Sequence, residues 1–239
     1  MQSIVVRDLT KQFGDFTAVN HINFEVEQGE IFGFLGANGA GKTTAIKMMS
    51  GLLQPTSGEA IVGGYSVKTQ SKLIKRHIGY MSQRFSLYND LTVFENMQLF
   101  GTVYGIPRHE LRQRIHDSLE ELNMLDQANS LVSSIPLGWK QKLAFATAIL
   151  HRPNIVFLDE PTSGVDPIVR REFWKLIYRA AAQGITSLVT THYMDEAEYC
   201  HRISIMSNGT LKLIGTPTEL KQQMNVETID EVFVKFVTR

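Results

Sequence analysis

Gly36-Ala37-Asn38-Gly39-Ala40-Gly41-Lys42-Thr43-Thr44 is the stretch that decides the fold of this chain. Residues 30–35 (EIFGFL) before it are apolar and suit a buried strand, and residues 42–50 after it read as a helix stopped by Gly51. Glycines at 36, 39 and 41 admit backbone angles closed to other residues. The N–H groups of such a turn, with the positive end of the following helix, converge on phosphate oxygens. Lys42 supplies a charge between the outer phosphates, and the Thr43 hydroxyl suits Mg²⁺. A second stretch, residues 155–161 (IVFLDEP), places four apolar residues before Asp159, Glu160 and Pro161. Such a strand delivers Asp159 to the carboxyl edge of a sheet, where ligands of open α/β sheets bind. Asp159 is then suited to hold Mg²⁺ directly or through water. Glu160, one residue on, points elsewhere and suits polarising an attacking water. The pair of motifs predicts binding and hydrolysis of a nucleoside triphosphate with magnesium.

Composition excludes several classes. The 239 residues are 43% hydrophobic, enough for a sizeable core, in one large domain or two lobes. Lys+Arg and Asp+Glu are both 24, so no basic field points to nucleic acid. Cys200 is the single cysteine; it forms no disulfide within the chain, fits an intracellular setting, and reads as a small, half-buried apolar residue. The longest apolar stretch, residues 143–150 (LAFATAIL), is too short to cross a bilayer. The opening MQSIVVRDLT lacks the basic-then-apolar layout of a signal peptide.

Three parts follow one another. The first is strand-rich: Ile4 and Val6, then Ile22, Phe24 and Val26, alternate as half-buried strands do, and residues 59–62 return as a strand after the turn Pro55-Thr56-Ser57-Gly58. The middle is helical. Thr92-Val93-Phe94-Glu95 is a capping box, residues 107–122 carry Leu111, Ile115, Leu119 and Leu122 at helical spacing, and residues 138–150 read as a further helix. The last part alternates strands 155–158, 187–190 and 203–206 with a helix over 167–182. That alternation predicts a largely parallel sheet covered by helices. Asn208-Gly209 marks a hairpin, and Thr216-Pro217-Thr218-Glu219 opens a terminal helix.

With both motifs in this order, the chain resembles the nucleotide-binding subunit of ABC transporters nearly end to end. The resemblance implies an α/β P-loop NTPase fold: a RecA-like core with a mostly parallel sheet, an antiparallel β subdomain and an inserted helical subdomain. Residues 1–83 and 152–239 would form the core and β subdomain, and 84–151 the helical subdomain. It implies ATP as substrate, cradled by Gly36, Ala37, Asn38, Gly39, Ala40, Gly41, Lys42, Thr43 and Thr44. Phe13 matches the aromatic that stacks on adenine, Gln83 the glutamine that senses Mg²⁺ and the γ-phosphate, and His192 the histidine that contacts that phosphate. Lys42, Glu160 and His192 would be the catalytic set, with Thr43, Gln83 and Asp159 around Mg²⁺. Ser163, Gly164 and Asp166 match a loop that crosses a dimer interface.

Residues 86–96 (SLYNDLTVFEN) and Ile229-Asp230-Glu231-Val232-Phe233 look like the drug-export branch, whose ATPases pair with ABC-2 type membrane subunits. The partners implied are a second ABC ATPase domain (in a homodimer, a heterodimer or a tandem chain) and a transmembrane permease, with no nucleic acid. The place implied is the cytoplasmic face of a membrane, reached through the permease. The chain reads as a whole subunit or one half of a tandem protein. Related soluble proteins that act on ribosomes or DNA carry two cassettes or a long coiled-coil insertion, and neither is present.

One stretch departs from the family. Its signature reads Leu-Ser-Gly-Gly-Gln or close to it; here Ile135-Pro136-Leu137-Gly138-Trp139 stands in its place. The usual serine gives a hydroxyl and an N–H to the γ-phosphate held on the opposite subunit, and Pro136 has neither. Leu137 adds a side chain where the family has a small residue. Two readings stay open: a tolerated variant, of the kind that some export ATPases with a Pro-Leu-Gly-Trp stretch share, or slower hydrolysis at the site this stretch completes.

Overall fold

In the computed structural model, residues 2–83 and 86–237 are described. Met1, Arg84 (the expected start of the helical insertion), Phe85, Thr238 and Arg239 lie outside the described residues.

Alternating apolar residues build the first two strands. β1 (Gln2–Phe13) and β2 (Phe16–Glu27) pair antiparallel around Gly14 and Asp15, with Ile4 opposite Val26, Val6 opposite Phe24 and Leu9 opposite Ile22. β4 (Ser57–Val62) and β5 (Tyr65–Ser66) complete a four-stranded antiparallel sheet in the order β2-β1-β4-β5.

The second sheet has the order β10-β9-β3-β8-β7-β6. Its members are β3 (Ile31–Leu35), β6 (Ile78–Met81), β7 (Ile155–Asp159), β8 (Thr186–Thr191), β9 (Arg202–Ser207) and β10 (Thr210–Gly215). All neighbours run parallel except β10, which returns antiparallel from β9. Asn208 and Gly209 make that turn with φ of 48° and 75°, the left-handed pair a two-residue hairpin requires. β3, β7 and β8 are buried along their whole length, which explains why they read as apolar runs.

Side-chain alternation divides the core between the two faces of this sheet. Phe32, Phe34, Phe157 and Leu188 join the antiparallel sheet and α1 (Lys42–Met49). Phe24 of β2 meets Phe32 and Phe34 with ring centroids 5.4 and 5.2 Å apart, locking the first sheet onto the second. Ile31, Leu35, Val156, Leu158 and Val189 face the other way, toward α5 (Leu137–Ile149) and α6 (Pro167–Ala182).

Between β6 and β7 lie α3 (Val93–Val103), α4 (Arg108–Glu121) and α5. The capping box forms: the Glu95 N–H donates to Thr92 Oγ1 at 3.1 Å, and the Thr92 N–H donates to Glu95 Oε2 at 2.8 Å. Leu111, Ile115 and Leu119 are the buried stripe of α4. A second capping box, Thr216 with Glu219, opens α7 (Pro217–Met224), and α8 (Ile229–Val237) follows. Among the described residues no helix is long and apolar enough to cross a membrane. Cys200, expected half-buried, is 6% exposed because it lies against β3; a Cβ at Gly33 would stand 2.8 Å from its Sγ. Burial pushes its thiol pKa up.

Candidate nucleotide site

Four parallel strands end side by side. Leu35 pairs with Thr191, Asp159 with Thr190, and Met81 with Leu158, so the loops leaving β3, β8, β7 and β6 share one edge. The glycine-rich loop is seated there by close backbone contacts. A Cβ at Gly36 would meet the Met206 carbonyl at 2.4 Å, and Gly41 turns the chain into α1 with φ of 107°. The Ala40 carbonyl accepts the Gly209 N–H at 3.0 Å, pinning the loop to the β9–β10 turn.

Lys42 is 4% exposed, and its ammonium donates to the carbonyls of Gly36 (2.6 Å) and Ala37 (3.2 Å). It also lies 3.6 Å from Glu160 Oε1. Burial lowers its pKa, and the adjacent Glu160 carboxylate opposes that. The lysine thus spans the two motifs found in the sequence.

Asp159 is 2% exposed. Its Oδ1 accepts the hydroxyls of Thr43 at 3.0 Å and Thr190 at 2.8 Å. Burial pushes its pKa up, and those two hydrogen bonds pull it back. A threonine hydroxyl and a carboxylate already in contact are hard oxygen donors of the kind Mg²⁺ prefers, so the residues fit that ion. Glu160 is held on three sides. Its Oε2 accepts Gln83 Nε2 at 2.9 Å and stands 3.2 Å from His192 Nδ1, off the line of a hydrogen bond, while Lys42 faces Oε1. The Glu160 backbone has φ of 49°, and its N–H donates to Thr190 Oγ1 at 2.9 Å.

An open cavity of about 380 Å³ lies over the loop. Asn38, Gly39, Ala40, Gly41, Lys42, Thr43, Thr44, Gln83 and Glu160 line it, together with Ala18 and Phe16. Phe13 does not. It sits opposite Phe16 across the β1–β2 turn, with Lys11 Nζ 5.0 Å from its ring centre. Phe13 is the residue matched to the adenine-stacking aromatic, and in this conformation Phe16 is the aromatic on the cavity wall. The two-residue turn Gly14-Asp15 was the sequence signal that residues 13 and 16 are cross-strand partners.

The signature stretch and the interface loop form a second cluster, where α5 and α6 begin side by side. None of it lines the cavity over Lys42. Pro136 is the cap residue of α5 and contributes no side-chain bond; its carbonyl accepts the N–H groups of Trp139 and Lys140. Leu137 is 44% exposed, and Trp139 packs partly into the core. Gly138 faces α6 so closely that a Cβ would stand 2.6 Å from Val169 Cγ1. Gln141 Nε2 donates to the Ser163 carbonyl at 3.2 Å, Gly164 neighbours Leu137, and Asp166 Oδ1 caps α6 by accepting the N–H groups of Ile168 and Val169. Thr190, which donates to the Asp159 carboxylate and accepts the Glu160 backbone N–H, carried no sequence signal beyond its place at a strand end.

A glycine loop at the end of one buried parallel strand, an acidic pair at the end of another and a lysine between them define a P-loop nucleoside triphosphatase. The family profile described as "ABC transporter" matches residues 19–163. The chain belongs to the ABC transporter family. It is 48% identical over 239 residues to the "Probable multidrug ABC transporter ATP-binding protein YbhF" of Escherichia coli (strain K12), covering 98% of this chain and 41% of that protein. The chain therefore spans about two fifths of that relative's length. It is 36% identical over 228 residues to the "Linearmycin resistance ATP-binding protein LnrL" of Bacillus subtilis (strain 168), covering 95% of this chain and 73% of that protein. A solved structure described as the "ATP binding subunit of ABC transporter" superimposes with a TM-score of 0.87 at 28% identity, over 97% of this chain and 98% of the other.

Proposed function

We propose that this ATPase domain drives a membrane exporter of the multidrug, ABC-2 type by closing on a second cassette with ATP between them. One observation carries the reading: Lys42, Thr43, Gln83, Asp159 and Glu160 converge at the ends of neighbouring parallel strands. In the cavity the Lys42 ammonium exchanges its bonds to the Gly36 and Ala37 carbonyls for phosphate oxygens. The N–H groups of the glycine loop and of the first turn of α1 take the remaining phosphate charge. Phe16, with Phe13 opposite, offers an aromatic face to the base. Thr43 and Asp159 would hold Mg²⁺, which when bound neutralises phosphate charge. Glu160 accepts the proton of the attacking water, and Gln83 and His192 hold that carboxylate while contacting the outer phosphate.

Gln83 follows β6 and leads toward α3, so a change at the phosphate reaches the helical segment. We divide the chain into a core with β subdomain (1–83 and 152–239) and a helical subdomain (84–151) that meets a transmembrane permease on the cytoplasmic face. The second cassette presents its own signature stretch and interface loop to the nucleotide. Here Pro136 and Leu137 weaken what this chain presents in return, which favours pairing with a cassette of ordinary signature.

The test is Glu160→Gln in the full chain. Calorimetric binding of Mg-ATP is expected to persist, turnover to fall at least about a hundredfold, and an ATP-dependent dimer to accumulate in size-exclusion chromatography. Full hydrolysis by this variant would remove Glu160 from its role. Absence of Mg-ATP binding by the folded parent would remove the site itself.

A further inference from the structure

Behind His192 lies a charged cluster that the reaction does not use. Arg170 stands near the start of α6, its N–H bonded to the carbonyl of the capping residue Asp166 at 3.0 Å. Its side chain is 12% exposed. The guanidinium carbon lies 3.9 Å from the ring centre of Tyr193, Nη1 donates to Asp195 Oδ2 at 3.1 Å, and Nε is 3.4 Å from Glu196 Oε1. Glu196 is fully buried, and it also accepts the hydroxyl of Thr162, two residues beyond Glu160. Tyr193 in turn packs on the His192 ring, centroids 4.2 Å apart.

This cluster is poorly suited to stability alone. Arg170 Nε and Glu196 Oε2 are buried without a hydrogen-bond partner. A buried ion pair left partly unsatisfied contributes less than apolar side chains of equal volume. What it does provide is a connection. Through Glu196 and Thr162 it touches the segment that leads into Ser163, Gly164 and Asp166; through Tyr193 it touches the ring that faces Glu160. Its two ends are thus the interface loop and a side chain of the reacting site.

We propose that Arg170 is a positioning residue that couples the 162–166 segment to His192, so that a second cassette pressing on that segment sets the imidazole against Glu160 and the outer phosphate. The proposal rests on His192 being a contact of that phosphate, and the test separates the two. Steady-state ATPase of the full chain is measured for His192→Ala, Arg170→Met, Arg170→Lys, Tyr193→Leu and the His192→Ala/Arg170→Met pair.

Arg170→Met is expected to lower kcat about tenfold with KM for ATP within about twofold, because the glycine loop is untouched. Arg170→Lys restores the charge without the planar face and should recover kcat only in part. In the His192→Ala background, Arg170→Met should cost less than about twofold, since the two act through one contact. Tyr193→Leu keeps both ion pairs and removes only the ring bridge, so it decides the matter if Arg170→Met does not fold; a kcat loss of about fivefold is expected. Losses that multiply in the double variant, a changed KM with unchanged kcat, or wild-type turnover in folded Tyr193→Leu would overturn the coupling. Wild-type turnover in His192→Ala would instead overturn the assignment of His192.

Discussion

Restoring the family signature should make this chain a faster ATPase, and the structure shows why the result will be readable. The perturbation is Pro136→Ser with Leu137→Gly. Pro136 occupies the cap position of α5 with no side-chain bond, so serine there adds a cap that contributes about 1 kcal/mol. Leu137 is 44% exposed at the first helical position, and glycine there costs about 1 kcal/mol in backbone entropy. The two nearly cancel, and the thermal midpoint of a chain this size should move by no more than about 4 °C. A change in rate therefore reports the phosphate contact rather than the fold. One hydrogen bond to a charged oxygen contributes about 1.5–3 kcal/mol, which corresponds to about tenfold or more in turnover if it forms in the transition state. The assay is steady-state phosphate release by the isolated chain across protein concentration, since both composite sites of a homodimer carry the same signature. Unchanged or lower kcat, with ATP affinity and midpoint preserved, would refute the catalytic deficit assigned to Pro136 and Leu137.

Two further outcomes are expected. Gly36→Ala places a methyl 2.4 Å from the Met206 carbonyl, so the loop must move off β9; stability should fall by about 1–3 kcal/mol and Mg-ATP affinity at least about tenfold, measured by urea unfolding and calorimetry. His151, stacked on Tyr104 with ring centroids 3.9 Å apart, has its pKa pushed down to about 4 by burial, with His77 and Arg114 adding and its bond to the Ile78 carbonyl opposing. A histidine harder to protonate in the folded state contributes stability that is complete above the unfolded value of about 6.5 and is lost as pH falls toward 4. A fall from 6.5 to about 4 corresponds to about 3 kcal/mol at most. Urea midpoints of parent and His151→Phe should therefore converge as pH drops from 7 to 4.5, and an equal pH slope in the two would refute the assignment.

The sequence disclosed what local chemistry encodes. The glycine loop, the acidic strand end, both capping boxes and the Asn208-Gly209 hairpin each depend on residues within a few positions of one another. Elements shaped by distant neighbours were harder to read. β1 is twelve residues long, but irregular pairing near Arg7 and Asp8, with Asp8 at φ 48°, breaks the alternation after Val6. β6 carries a weak strand signal because it holds only four residues, and one is Gly79, where a Cβ would meet the Ala148 carbonyl at 2.3 Å. α2 (Ser71–His77) buries only Ile74, so it shows no periodic stripe. In the site, Lys42, Asp159 and Glu160 announced themselves by motif. Phe16, Thr190, Arg170 and Glu196 did not, because their roles arise from partners more than twenty residues away along the chain.

The left-handed backbone at Glu160 has a consequence for how this protein evolves. A glutamate there costs about 1–2 kcal/mol that glycine would not incur. A library of variants selected only for heat resistance should drift toward glycine or asparagine at this position and forfeit turnover. The acid is kept at the expense of robustness, and its persistence in any descendant would be a record of selection for work.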